Sequence, residues 1–487
     1  MMPNKPNWKQ TVKEHIVGPT GSVILHIFIV VALLKYVQNA QKEEAETVMV
    51  KVIENKEITV EEIKLEPIEL DDLTEVDEMV TDPTDFTVEA PTADAPTPTP
   101  STQTADLTDL AVMSDISSPV VMSGIMAGRN KGGREAGLGR FGGSRSTERA
   151  VIRALEWLRK NQNKDGSWGN GDQSAYAGLG LLTFLAHGET PASERYGPTV
   201  ERAITYLLGA MDDKGRFKNA GGHYVYGHAL AAYGLSEAYG MTRIPLLKPA
   251  MEKCIQVIID GQQRGGGWDY DYKADSTRND SSVSAWQVQA LKAAKIAGAG
   301  NPKLDEALRR SLEGMRQNFR ADTGRFTYTP GSRSNDGLTA LGALCFQLNG
   351  QSNSQVVSAA LGALKDAEPG IVINRGDDPD RWPYYAAYYI TQAKFHGGNA
   401  HFGSWNKKVM PEFLKTQNED GSWSPPAPEA RNGELSTKTY GTTFAALSLQ
   451  VYYRFLPSYQ ETAVAPAAAE AQAEAPKADD IEIDLNI

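Results

Sequence analysis

Three aspartates come closest to a reactive arrangement. Asp269 and Asp271 form a D-x-D pair in a stretch dense with aromatic residues, and Asp280 opens the run Asp280-Ser-Ser282-Val-Ser284-Ala-Trp286-Gln287. A carboxyl group shielded from water is pushed toward its protonated form and can act as a general acid, so Asp269, Asp271 and Asp280 are the catalytic candidates. Asp280 also has a simpler role as the N-cap of the helical stretch it precedes. Asp377-Asp378-Pro379-Asp380 is a further acidic run, but Gly and Pro around it spell a turn. Metal and cofactor chemistry is not expected. The two cysteines, Cys254 and Cys345, sit in apolar runs as buried thiols, and His223 and His228 stand five apart across a loop, a poor metal pair.

The elements that must position these groups repeat. Gln162-x3-Gly166-x-Trp168, Gln262-x3-Gly266-x-Trp268 and Gln417-x3-Gly421-x-Trp423 share one spacing. Degenerate copies end at Phe217 and Phe326, and Arg381-Trp382 marks a sixth, giving one aromatic marker every 51 residues on average. An amphipathic helix with apolar residues at i, i+3, i+4 spacing precedes each marker, and a helix rich in Ala, Gly and Ser follows it. Glycine inside a helix costs about 1 kcal/mol against alanine, so its recurrence points to close helix packing. The pattern predicts an all-α fold: an α6/α6 toroid of six helix-pair repeats over residues 146–458, with the small-residue helices forming the crowded inner ring.

In a closed ring the six inner-helix N-termini share one end. Their summed partial charges predict a positive potential there, suited to an anionic or carbonyl-bearing ligand. The turns before the inner helices carry Tyr224, Tyr226, His228, Tyr270, Tyr272, Tyr328, Trp382 and Tyr384, with His223 and Tyr385 beside them. Aromatic rings with a few polar groups describe a ligand pocket, and these eight are the binding candidates. Trp268 and Phe326 read instead as rings stacked between repeats.

The Q-x3-G-x-W repeat resembles that of squalene-hopene cyclases and related prenyltransferases. The resemblance implies that Gln162, Gln262 and Gln417 close their outer helices by hydrogen bonding and that Trp168, Trp268 and Trp423 stack on the following unit. It also implies where chemistry is missing. The cyclases protonate an alkene with a D-x-D-D acid, and no D-x-D-D occurs here. Asp280 to Gln287 matches the D-x-C-Y-S-x-W-Q frame of protein prenyltransferase β subunits, yet Ser282 stands where the zinc thiolate would be, and the late helix offers no His. The G-C-G-E-Q thioester motif of complement-type toroids is absent too.

Outside the repeats the chain divides into a cytoplasmic N-terminus (1–15), a membrane span (16–37), a linker (38–145) and a disordered tail (459–487). Residues 21–34 are apolar apart from Ser22 and His26, with Lys5, Lys9 and Lys13 before them. Span length and the positive-inside rule predict a single-pass anchor in the inner membrane, N-terminus in, with the toroid in the periplasm. The Ser22-x3-His26 spacing resembles the membrane helix of TonB-type energy transducers, which implies coupling to a proton-driven motor through Ser22 and His26. The net charge of −12 is concentrated in the linker, where residues 41–110 hold 20 acidic residues against 4 lysines. No basic surface for nucleic acid is indicated. Residues 124–143, with eight glycines, read as a flexible tether. The expected function is a membrane-anchored envelope protein whose toroid binds a peptide, glycan, lipid or partner protein. The alternatives are an isoprenoid cyclase or prenyl-processing enzyme, and a polysaccharide-active toroid.

Overall fold

The computed structural model describes residues 124–372, 382–426 and 429–454. The expected anchor with Ser22 and His26, the acidic linker, the turn at 377–380 and the tail lie outside the described residues. Among the described residues no helix is long and apolar enough to cross a membrane.

Thirteen of the described helices carry the architecture. A 3-10 turn (Gly124–Arg129) leads into α1 (Lys131–Phe141). Six outer helices follow in alternation with six inner ones. The outer set is α2 (Arg145–Lys160), α4 (Gly197–Ala210), α6 (Leu247–Asp260), α8 (Leu304–Gln317), α10 (Gln355–Ala363) and α12 (Asn399–Thr416). The inner set is α3 (Gln173–His187), α5 (Tyr224–Thr242), α7 (Ser281–Ala297), α9 (Asp336–Leu348), α11 (Pro383–His396) and α13 (Glu434–Leu449). A last short helix, α14 (Val451–Arg454), ends the body, and a two-stranded ribbon, Phe319–Arg320 with Arg325–Phe326, lies before α9.

Outer and inner helices differ in burial for the reason the pattern suggests. In α2, Ala150, Val151, Ala154, Leu155 and Leu158 form one buried stripe. In α3, every residue from Ser174 to His187 is buried, because neighbours lie on both sides and an outer helix lies behind. Each inner helix packs on the next, and α13 packs back on α3, which closes the circle. Gly178 of α3 shows the crowding: a Cβ there would collide with the backbone of Leu230 in α5.

The repeat residues stitch this ring. The Gln162 amide donates to the carbonyls of Gly166 (3.0 Å) and Thr199 in α4 (2.9 Å). Gln262 does the same with Gly266 (2.8 Å) and Ala307 in α8 (2.9 Å). Gln417 donates to Gly421 and, across the seam, to Ala150 in α2, both at 2.9 Å. Each Gln therefore ties its own turn to the following outer helix, beyond merely closing the helix it ends. The tryptophans behave otherwise than the resemblance implied. The indoles of Trp168, Trp268 and Trp423 donate to Leu158, Ile258 and Phe413 in their own preceding outer helices. Trp168 also stacks on Phe184 and fills the notch left by Gly180, both in its own repeat. Trp382 is no equivalent, being 36% exposed.

The Gly-rich segment expected to be a tether is folded from Gly124 onward. It closes the C-terminal end of the inner ring against α14. A Cβ on Gly128 would lie 2.6 Å from the Tyr453 carbonyl oxygen, and one on Gly137 would lie 2.5 Å from that of Tyr452, so only glycine permits this approach. Arg129 pairs with Glu237 of α5 at 2.8 Å and donates to the Leu185 carbonyl at 3.3 Å. Arg134 donates to the His187 carbonyl at 2.9 Å. Guanidinium groups thus meet the carbonyl end of α3, where a cation is favoured.

Candidate functional site

The opposite end of the ring is open. A cavity of about 1130 Å³ is lined by residues from the first two turns of all six inner helices, among them Tyr176, Tyr226, Trp286, Gly337, Tyr385 and Tyr440. The shared end expected for the helix N-termini is therefore present, but its positive potential is largely answered from within. The Asp280 carboxylate caps α7, accepting from the amides of Ser282 (2.9 Å) and Val283 (3.0 Å). Asn335 caps α9 through the Leu338 amide. Glu429 caps α11, accepting from the amides of Tyr384 (3.1 Å) and Tyr385 (3.0 Å). The wall itself adds Asp172, Asp336, Asp366 and Glu368 against Arg333 and Arg431. Of these carboxylates, Asp336 pairs with Arg325, Asp366 with Lys365 and Glu368 with Lys408.

Of the eight binding candidates, Tyr226, Tyr270, Tyr328 and Trp382 line the cavity. The other four face away. His228 is fully buried, hydrogen-bonded through Nδ1 to Tyr224 Oη (3.0 Å) and through Nε2 to the Cys254 carbonyl (2.9 Å); burial pulls its pKa down to about 4. Tyr272 packs edge-on to Tyr224 and donates to Gln287. Tyr384 is buried against Phe413 of α12. Helical phase decides this: Tyr224 and His228, four apart on α5, share its outward face, while Tyr226 between them turns inward.

The catalytic candidates are held in other roles. Asp271 is 68% exposed and pairs with Lys273 on the surface. Arg278 bridges Asp269 and Asp280, and its guanidinium lies 4.6 Å from the Tyr270 ring centroid and 5.3 Å from that of Tyr328. Ser282, in the place of the expected thiolate, donates to Asp280 at 2.7 Å and meets Tyr226 Oη at 2.6 Å. The hydroxyls of Tyr270 and Tyr328 are in contact with each other. Burial raises the Tyr226, Tyr328, Tyr385 and Tyr440 pKa values, so the wall presents neutral phenols that can donate and accept. Both thiols are buried, which pushes Cys254 up to about 12 and raises Cys345 as well. Among the described residues no cluster of His, Cys, Asp or Glu could hold a metal ion.

No family model matches the chain, and no curated protein matches it in sequence. Solved structures resemble it at low identity. An α-1,6-mannanase of a Salegentibacter species aligns at 10% identity over 63% of this chain and 99% of its own, with a TM-score of 0.47. A cellobiose 2-epimerase from Bacillus thermoamylovorans aligns at 9% over 62% and 97%, at 0.48. A type II terpene cyclase from Scytonema, solved with geranylgeranyl dihydroxybenzoate, aligns at 14% over 63% and 96%, at 0.42. The ring stands on its own contacts, above all the Gln417 bridge to Ala150 and the packing of α13 on α3.

Sequence reasoning missed several wall residues: Asp172, Tyr176, Trp286, Arg431, Asn432 and Tyr440. They flank or enter the first turns of α3, α7 and α13, so counting the turn before each inner helix and its first two turns together would have found them. Glu429 was missed as well. Its carboxyl is buried, which raises its pKa to about 7 against the lowering effect of the Tyr385 and Tyr384 amides and the Tyr440 hydroxyl.

Proposed function

We propose that the toroid is a carbohydrate-binding module that takes a saccharide chain at its open mouth. The observation that carries this reading is a cavity of about 1130 Å³ walled by aromatic faces and neutral hydroxyls together. Its size exceeds the roughly 300–1,000 Å³ of ordinary small-molecule pockets, which favours an oligomeric ligand. Sugar rings offer C–H faces to aromatic π-systems and hydroxyls to the phenols, amides and carboxylates between them. A polyisoprenoid would satisfy the rings but offer no hydrogen bonds to the solvent-facing Asp366, Glu368 and Asn432 among them. Asp269 and Asp280, the acids an isoprenoid enzyme would use, are bridged by Arg278.

In this reading residues 16–37 anchor the protein in the inner membrane and hold the ring in the periplasm. Ser22 and His26 would couple it to a Ton-like motor; a His26→Ala variant that still crosslinks to motor subunits would remove that part alone. The binding reading is tested by titrating the full chain with neutral oligosaccharides while following tryptophan fluorescence, beside squalene and geranylgeranyl diphosphate. Saturable binding of a saccharide is expected. Binding of the isoprenoids with no response to any saccharide would replace this reading with the enzymatic one.

A further inference from the structure

Three guanidinium groups rest against aromatic rings at the mouth, Arg278, Arg333 (5.6 Å from the Tyr328 ring centroid) and Arg431, and the first and last are in opposite electrostatic situations. Arg278, beside Tyr270 and Tyr328, is paired with both Asp269 and Asp280. Arg431, in the turn before α13, lies 4.1 Å from the Tyr440 ring centroid and 4.9 Å from that of Trp382. Among the described residues Arg431 makes no ion pair, and its side chain's one hydrogen bond there is a long one, Nη1 to the Ala430 carbonyl at 3.5 Å. Glu429, two residues earlier, feels the Arg431 charge but makes no ion pair with it; its oxygens accept instead from the Tyr384 and Tyr385 amides and the Tyr440 hydroxyl. The Arg431 backbone is fixed by its amide donating to Thr437 Oγ1 at 2.8 Å. A held, planar, five-donor group whose donors are largely unused among the described residues lines the cavity.

We infer that Arg431 receives the carboxylate of an acidic sugar in the bound chain. The inference rests on the carbohydrate reading above and names its ligand class. A guanidinium fork matches a carboxylate in a bidentate pair, the strongest polar contact such a wall can offer. With Arg278 held by two carboxylates, the Arg431 fork suits a single monoanion. Asp172 on the same wall penalises a densely charged polyanion, whereas Asp336, Asp366 and Glu368 are paired with Arg325, Lys365 and Lys408. The geometry therefore selects a mostly neutral chain with a carboxylate at one position. That chemistry occurs both in a uronic acid branch and in a lactyl-ether sugar of the muramic type.

Paired probes test this with the full chain. A xylotetraose bearing one glucuronate is compared with plain xylotetraose, and a muramyl tetrasaccharide with chitotetraose. The wild type should bind at least one acidic member about 10–100-fold more tightly than its neutral partner, and the pair that discriminates identifies the source. Arg431→Gln should abolish the ratio between acidic and neutral members, whatever its effect on the affinity they share, and Arg431→Lys should restore part of that ratio, since charge remains without the fork. Equal affinity for acidic and neutral members, or discrimination that survives in Arg431→Gln, overturns the inference and leaves the carbohydrate reading standing. Failure of the wild type to bind any of the four overturns both.

Discussion

The two ends of the ring handle the same problem in opposite ways. Six parallel inner helices leave unpaired amides at one end and unpaired carbonyls at the other. At the closed end, charged groups from distant parts of the chain meet those carbonyls and one another. Arg129 and Arg454 flank Glu237, Arg454 also donates to Tyr233 Oη, and His187 lies between Glu148 and Glu189 with Arg134 and Tyr453 alongside. At the open end, Asp280, Asn335 and Glu429 cap three helices, and the wall around them carries aromatic rings, neutral phenols, four carboxylates, Arg333 and Arg431. One end locks the ring by burying charge; the other keeps its polar groups available to a ligand. The contrast separates residues whose loss unfolds the protein from residues whose loss empties it.

The largest effect should come from the closed end. Glu237→Ala leaves Arg129 and Arg454 buried with their shared carboxylate gone, in a site where the side chains are 1–4% exposed. Breaking such an arrangement costs about 3–5 kcal/mol. Urea denaturation of the full chain should show this as a lowered midpoint. A loss below about 1 kcal/mol would mean that the closed end is a surface dock and would dissolve the contrast.

Titration gives each end its own window. Glu429 has a folded pKa of about 7 against 4.5 in the open chain, so the folded state holds a proton that the unfolded state releases. That contribution is complete below about 4.5 and is lost as pH rises to about 7, roughly 3 kcal/mol across the span. Glu429→Gln should flatten stability over that range. His187 lies at the other end. Burial and Arg134 pull its pKa down, but hydrogen bonds to Glu148 and Glu189 and the Glu148 charge outweigh them and raise it. Its contribution is complete below about 6.5 and is lost as pH climbs through the raised folded value. His187→Gln should therefore flatten the upper part of the profile while sparing the lower. Denaturation midpoints across roughly pH 5 to 8 separate the two; identical profiles for both variants would show that neither group titrates on its own.

The ring was legible because its signals are periodic. Gln, Gly and Trp recur at a fixed spacing, and each acts in one physical way. The Gln bridges to the next outer helix, the Gly turn presses against that helix, and the Trp ring fills the notch between outer and inner helices. The closed end was not legible because glycine-rich composition ordinarily means a loose tether. Nothing local in the run from Gly124 to Gly143 reveals that Gly128 and Gly137 fit against Tyr453 and Tyr452, over three hundred residues away. The mouth was half legible. Composition located the aromatics, but helical phase decides which of two neighbours faces inward, so Tyr226 and Tyr385 reach the cavity where Tyr224 and Tyr384 do not. Arg431 was invisible because its meaning lies in the ion pair it lacks among the described residues.

The smallest effect on stability, and the sharpest probe of the contrast, belongs to Trp382. It is large, 36% exposed, and packed against the Arg431 guanidinium rather than inside the core. Trp382 is the N-cap residue of α11 but its side chain makes no cap hydrogen bond, so removing this half-exposed ring changes stability by less than about 0.5 kcal/mol. Trp168, with no exposure and an indole bond to Leu158, is its counterpart in the ring. Trp168→Ala should cost about 3–5 kcal/mol, and Trp382→Ala almost nothing, while saccharide affinity falls in the Trp382 variant. If Trp382→Ala instead lowers the urea midpoint as far as Trp168→Ala does, the ring at 382 is a structural marker after all, as its repeat position had implied, and the mouth loses its most exposed binding surface.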